Sequence, residues 1–158
     1  MNDGFPTSGR LGGVDYGTVR IGVAISDIGQ TISSPHVNYD RQNETQDARF
    51  FQKLAVAEEL AGWVIGLPIH LHGDESQKSV EARAFGTWLQ EVSSLPIVFF
   101  DERFSSAFAE TALNQAGLTS KQRKKRRDML AAQIILSGYL QSTRQQQSNQ
   151  PLSDEDHS

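Results

Sequence analysis

The sequence predicts an α/β domain on a five-stranded mixed sheet, three antiparallel strands and then two parallel ones, flanked by helices. Three observations carry this. Near the N-terminus two apolar runs, Leu11–Tyr16 and Val19–Ser26, stand on either side of Gly17-Thr18, which is the turn chemistry of a hairpin. Further on, the short apolar runs Trp63–Pro68 and Pro96–Phe100 are separated by a helical stripe. Strands of a parallel sheet read this way when a crossover helix joins them. Finally, Met129–Leu140 is apolar nearly all round, the pattern of a buried helix.

Each element follows in order. Val19, Ile21, Val23 and Ile25 alternate, which fixes the buried face of the second strand. Ser34–Tyr39, opened by Pro35, is the third strand. Asn43 is the expected N-cap of a helix from Glu44 to Ala61 with Phe50, Leu54, Ala57 and Ala61 at helical spacing. Pro68 stops the fourth strand. The polar loop His70–Ser76 leads into a helix whose stripe is Val80, Ala84, Phe85, Trp88, Leu89 and Val92. The fifth strand ends in Asp101-Glu102-Arg103. Ser105 or Ser106 then caps a helix through Leu113, broken by Gly117. From Gln141 the chain is glutamine, serine and acid, a composition that cannot offset the entropy of ordering.

A chain of 158 residues supports one core rather than two. The expected division is a flexible segment 1–9, a domain 10–141 and a disordered tail 142–158. A net charge of −4 excludes a protein that coats nucleic acid or anionic membrane with its whole surface. The absence of cysteine excludes disulfides and thiolate metal sites. No apolar run reaches the length of a membrane span, and the opening MNDGFPTSGR has no signal-peptide core. The expectation is a soluble cytoplasmic protein.

Four acids stand at element ends: Asp15 after the first strand, Asp101 and Glu102 after the fifth, and Asp128 at the head of the terminal helix. Alone, each has a local explanation in a turn, a solvated loop or a helix cap. In an open α/β sheet, however, strand ends converge on one edge where ligands bind. Carboxylates gathered there repel unless a cation neutralises them, and an all-oxygen set suits Mg²⁺ or Mn²⁺. Paired ions of this kind perform in-line phosphodiester displacement, which is nuclease chemistry. Successive strand residues face opposite ways, so one of Asp101 and Glu102 enters the site. The longer Glu102 is the choice.

Four ordered motifs carry a resemblance: GGVDYGTVRIGVAISD, Ile65-Gly66-Leu67-Pro68 with Gly73, Asp101-Glu102-Arg103, and Asp128 followed by Leu130-Ala131-Ala132 and Ile134-Ile135-Leu136. Together they resemble the YqgF or RuvX family, Holliday junction resolvase-like proteins, over roughly residues 10–141. The resemblance implies an RNase H-like fold and a nuclease that processes the 5′ end of the small-subunit (16S) ribosomal RNA precursor. It implies Asp15, Glu102 and Asp128 as metal-binding catalytic acids, and it makes Arg20 and Arg103 candidates for phosphate contact, since guanidinium groups fit phosphate oxygens. The sequence departs from the family pattern at Ser105-Ser106, where threonines are usual, and at Ile69-His70-Leu71, where Leu-Asn-Met is usual. Asp15-Tyr16-Gly17-Thr18 also resembles the phosphate hairpin of the actin, sugar-kinase and heat-shock ATPase superfamily. Those proteins need two domains, and this chain has room for one.

Between Lys121 and Arg127 lie six positive charges in seven residues. Such a run in an acidic protein predicts a phosphate-tracking surface, with Arg123, Lys124, Lys125 and Arg126 as substrate-binding residues. Its plainer alternative is a solvated loop. His70, His72 and Asp74 have the look of a zinc triplet, outweighed by the commoner polar loop. Phe85 and Trp88 are expected in the core rather than on a base-stacking surface. The expected partners are precursor ribosomal RNA, within a pre-ribosomal particle, or branched DNA, and not membrane. The competing functions are a four-way DNA junction resolvase and a non-catalytic nucleic-acid-binding factor. Resolvases cut as symmetric dimers; no dimerisation helix stands out, so a monomer or weak dimer is expected.

Overall fold

The computed structural model describes residues 4–68, 76–102 and 120–148, the side chains of 120–128 and 145–148 excepted. Strands β1 (Arg10–Asp15), β2 (Arg20–Ser26), β3 (Ser33–Asp40), β4 (Leu60–Leu67) and β5 (Ile97–Asp101) form one sheet in the order β3-β2-β1-β4-β5. β1 pairs antiparallel with β2, and β2 with β3; β1 pairs parallel with β4, and β4 with β5. This is the expected mixed sheet. Proline at position 35 is tolerated because β3 is an edge strand.

Helices α1 (Glu44–Ala57) and α2 (Gln77–Ser93) cover one face of the sheet. Asn43 caps α1 by accepting the Gln46 N–H at 2.8 Å, and Ser76 caps α2 by accepting the Ser79 N–H at 3.0 Å. Val14, Ile21, Val23, Trp63 and Ile65 point toward these helices and meet Phe51, Phe85 and Leu89. Rings in that cluster prefer edge-to-face contact, and Phe51 meets Trp63, Phe85 and Trp88 in that geometry. Helix α3 (Ser120–Ser148) covers the other face. Its Ala132, Ile135, Leu136, Tyr139 and Leu140 recur at helical spacing and pack on Leu11, Ala24 and Val64. Each large apolar side chain so buried contributes about 1.5–3 kcal/mol.

The strands shift by one to three residues at their ends, and Val19, expected on the buried face of the second strand, lies outside β2 and is exposed; three helix boundaries also differ from expectation. α1 ends at Ala57, not Ala61: Glu58 caps it and Glu59 takes a positive φ of 52°, so the chain turns and β4 begins at Leu60. α3 begins at Ser120, so the backbone of the basic run is helical rather than a loop. The same helix runs on to Ser148 past Leu140, because arginine and glutamine are good helix formers and extending a helix is cheap once its packed centre has nucleated it. The helix expected after Ser105, Ser106, the loop histidines His70 and His72, and the tail beyond 148 lie outside the described residues.

Candidate active site

The ends of β1 and β5 flank the end of β4. Val14 lies opposite Ile65, while Gly66 lies opposite Phe100 and Leu67 opposite Asp101. Strand alternation decides which acids share a face. On β1, Leu11 belongs to the α3-side cluster, and a side chain on Gly13 would strike Leu136, so Asp15 continues that face. On β4, Val64 and then Gly66 occupy it. On β5, Phe100 packs there while Ile97 and Phe99 pack on the opposite cluster. Glu102 follows Phe100, and alternation sends Asp101 to the other side.

Gly66 is the residue that lets Glu102 lie across β4. A β-carbon built on Gly66 would stand 2.6 Å from Glu102 Oε1, 3.1 Å from its Cγ and 2.5 Å from Ile135 Cδ1. The Glu102 carboxylate therefore occupies the space that any other residue at position 66 would fill. It lies over the strand that separates it from Asp15, against Ile135 of α3. Burial pushes this carboxyl above the usual glutamate range; Lys78 pulls it back and Asp101 adds to the rise. Asp15 is half-buried at the strand end.

Lys78, in the first turn of α2, acts on Glu102, which the sequence did not reveal because no motif marks it. It borders a cavity of about 510 Å³ together with Arg20 and Tyr16. Arg20 opens β2 opposite Asp40. Asp128 lies on α3 one turn before Ala132 and two turns before Ile135, the residues packed over Gly13 and Gly66; its side chain is outside the description. The same holds for Arg123, Lys124, Lys125 and Arg126, whose backbone forms the first turns of α3. Arg103 and Asp74 lie outside the described residues altogether. Phe85 is buried as expected. Trp88 packs against the same core cluster, half-buried, and its outer edge lines a second cavity of about 740 Å³ between α1, α2 and the hairpin.

Among the described residues no three histidine, aspartate or glutamate side chains gather as a metal-holding group. Asp15 and Glu102 stand on one face at one sheet edge, an all-oxygen pair. Hard divalent cations take such sets.

A family model described as "RuvX: Holliday junction resolvase" matches residues 9–142. A Rhodopirellula baltica protein named "Putative pre-16S rRNA nuclease" is 47% identical over 142 residues, covering 90% of this chain and 82% of the relative. A Rhodobacter capsulatus protein of the same name is 38% identical over 135 residues, 85% of each chain. Among solved structures, yeast mitochondrial Holliday junction resolvase Ydc2 aligns with a TM-score of 0.55 at 11% identity, covering 92% of this chain and 82% of that one. Thermus thermophilus RuvC in complex with a Holliday junction substrate aligns with a TM-score of 0.54 at 11% identity, covering 85% of this chain and 96% of that one. At such identities these two carry the fold alone, an RNase H-like sheet with its helices.

Proposed function

We propose, since the chain belongs to the RuvX family, described as Holliday junction resolvase, that it is a nuclease that cuts the precursor of 16S ribosomal RNA. The substrate is inferred from the names of its relatives. The observation that carries the chemistry is the Glu102 carboxylate lying over Gly66, on the face and at the sheet edge that also hold Asp15. Asp15, Glu102 and Asp128 would hold Mg²⁺ or Mn²⁺. Bound there, a divalent cation supplies Lewis acidity and a more acidic water at the phosphodiester.

The chain's own groups prepare that site. Burial disfavours the Glu102 carboxylate, and a cation held there would relieve that cost. Lys78 offsets part of it. Arg20, Arg103 and the run Arg123, Lys124, Lys125 and Arg126 would bind phosphates on either side of the cut, orienting the strand without reading its bases. No described helix is long and apolar enough to cross a membrane. We assign the protein to the cytoplasm, working on a pre-ribosomal particle as a monomer or weak dimer.

The test incubates the purified chain with precursor 16S RNA and with a four-way DNA junction, each with EDTA, Mg²⁺ or Mn²⁺. RNA cleavage that requires the metal is expected. Cleavage of the junction but not the RNA would favour the resolvase reading, and binding of RNA with no cleavage in any metal would favour a non-catalytic factor.

A further inference from the structure

The two cavities beside the hairpin share Tyr16, Thr18, Val19 and Glu81, so they form one groove over the β1–β2 turn. Its two ends differ in charge. Among the described residues the smaller end is bordered by Lys78 and by Arg20, which is itself engaged within the fold, against the acid Glu81. At the larger end stand Glu44, Asp47 and Glu81 with, among the described residues, one cation, Arg41. That cation is already engaged: its Nε lies 3.4 Å from Asp47 Oδ2, and its Nη1 donates to the Tyr16 hydroxyl at 3.3 Å. Asp47 is engaged as well, accepting from the Tyr39 hydroxyl at 2.6 Å and from the Gln42 N–H at 2.8 Å. Glu44 and Glu81 remain as acceptors.

The walls of the larger end are rings. Tyr16 and Phe85 lie 5.1 Å apart, Phe85 and Trp88 5.4 Å, and the hairpin residue Val19 beside them is 66% exposed. A phosphate is attracted to the smaller end and repelled from the larger. A flat, neutral group with amino donors suits the larger end. A nucleotide has both parts in that order.

We propose that this groove holds one nucleotide of a single-stranded RNA next to the cut, its phosphate on Lys78 and Arg20 and its base against Trp88 and Tyr16, with an exocyclic amino group donating to Glu81. This rests on the nuclease reading for the identity of the strand. Continuity favours a strand over a free nucleotide: Lys78 borders the groove and acts on Glu102 as well. Bases in a duplex have their faces stacked and their amino groups paired, so the groove selects unpaired RNA. Stacking on aromatic rings beside a cationic track is the general mode of single-strand binding.

The chain reports on this groove itself. Of its two tryptophans, Trp63 is fully buried, its indole donating to Ser93 Oγ at 3.0 Å, while Trp88 lines the groove. In EDTA, hexa-adenylate should quench the fluorescence of the full chain saturably. Trp88→Phe should abolish the quench, and Trp88→Leu should weaken binding of a labelled strand roughly fivefold or more. Lys78→Gln should lower the salt slope of binding by about 0.7. Hexa-uridylate, which lacks the amino group, should bind more weakly, and Glu81→Ala should narrow that gap. A blunt RNA duplex and adenosine monophosphate should give no comparable signal. Strand binding without a Trp88 response, no strand binding at all, or equal response to duplex or free nucleotide would each overturn the proposal. Cleavage is followed in parallel with Mn²⁺. Cleavage without the Trp88 response sinks the groove alone, while the response without cleavage sinks the nuclease reading and leaves the groove.

Discussion

Replacing Gly66 by alanine separates the chemistry of the edge from the stability of the fold. The new β-carbon would meet Glu102 Oε1 at 2.6 Å and Ile135 Cδ1 at 2.5 Å, against an ordinary contact of at least 3.4 Å. Both atoms are the far ends of flexible side chains, so each swings away by about 0.8–0.9 Å, the shortfall from those distances. For packing this is modest overfilling, about 1–3 kcal/mol, or a melting temperature lowered by a few degrees in a domain of about 150 residues. For the carboxylate it is decisive, because metal ligands tolerate about 0.2 Å and a misplacement of about 1 Å costs about a hundredfold in rate. Gly13→Ala is the control. There the β-carbon meets Leu136 Cβ at 2.7 Å and the Ala132 carbonyl at 3.1 Å, atoms fixed to the body of α3, so the helix itself must lift and the stability loss should be the larger of the two. The assays are single-turnover cleavage of precursor RNA with Mn²⁺ and thermal unfolding in EDTA. A Gly66→Ala protein that cleaves as fast as the parent would refute the assignment of Glu102.

Other outcomes follow from the same geometry. In EDTA the folded chain keeps the Glu102 proton at pH values where the unfolded chain has lost it, so this group favours folding at acid pH and that contribution is lost as pH rises through the raised value. Glu102→Gln should therefore raise the metal-free melting temperature near neutrality, with the difference vanishing toward about pH 4. No gain at neutral pH would mean that the carboxylate is not desolvated. Replacing Arg123, Lys124, Lys125 and Arg126 by glutamine should flatten the salt slope of RNA binding by about two units if about three of the charges engage phosphates, at about 0.7 each. An unchanged slope would return the run to an idle solvated surface. Truncation after Arg144, whose side chain is exposed, should leave the melting temperature unchanged. A clear drop would show that the end of α3 docks.

Much of the sheet was legible because its signals are local. The alternation of Ile21, Val23 and Ile25, the turn at Gly17-Thr18 and the proline after Leu67 each act within a few residues, whereas Val19 continues the pattern by sequence but stands exposed outside β2. The C-terminus of α1 was not legible. Ala57 and Ala61 keep helical spacing, and no glycine announces the turn that Glu59 makes with its positive φ. Asp15 and Glu102 could be named from motifs, and strand alternation already required that only one of Asp101 and Glu102 face Asp15. The role of Gly66 was hidden, since it depends on a glutamate from the next strand and an isoleucine from the last helix meeting over one α-carbon. Lys78 was hidden for the same reason. Trp88 was legible as a residue packed on the core but not as one that lines a cavity, since its exposed edge depends on how far α1 and the hairpin stand from α2.

On the proposed reading, Asp15 and Glu102 act as one cation-holding unit. The most direct measurement is the cleavage rate of precursor RNA by Asp15→Asn, Glu102→Gln and the double variant at saturating Mn²⁺, with folding checked by circular dichroism. Each substitution keeps size and removes the charge that a hard cation requires. Both single variants should lose nearly all activity while remaining folded, and the double should lose little beyond either, as residues that act together do. Full activity in either single variant, or losses that multiply in the double, would contradict a shared site.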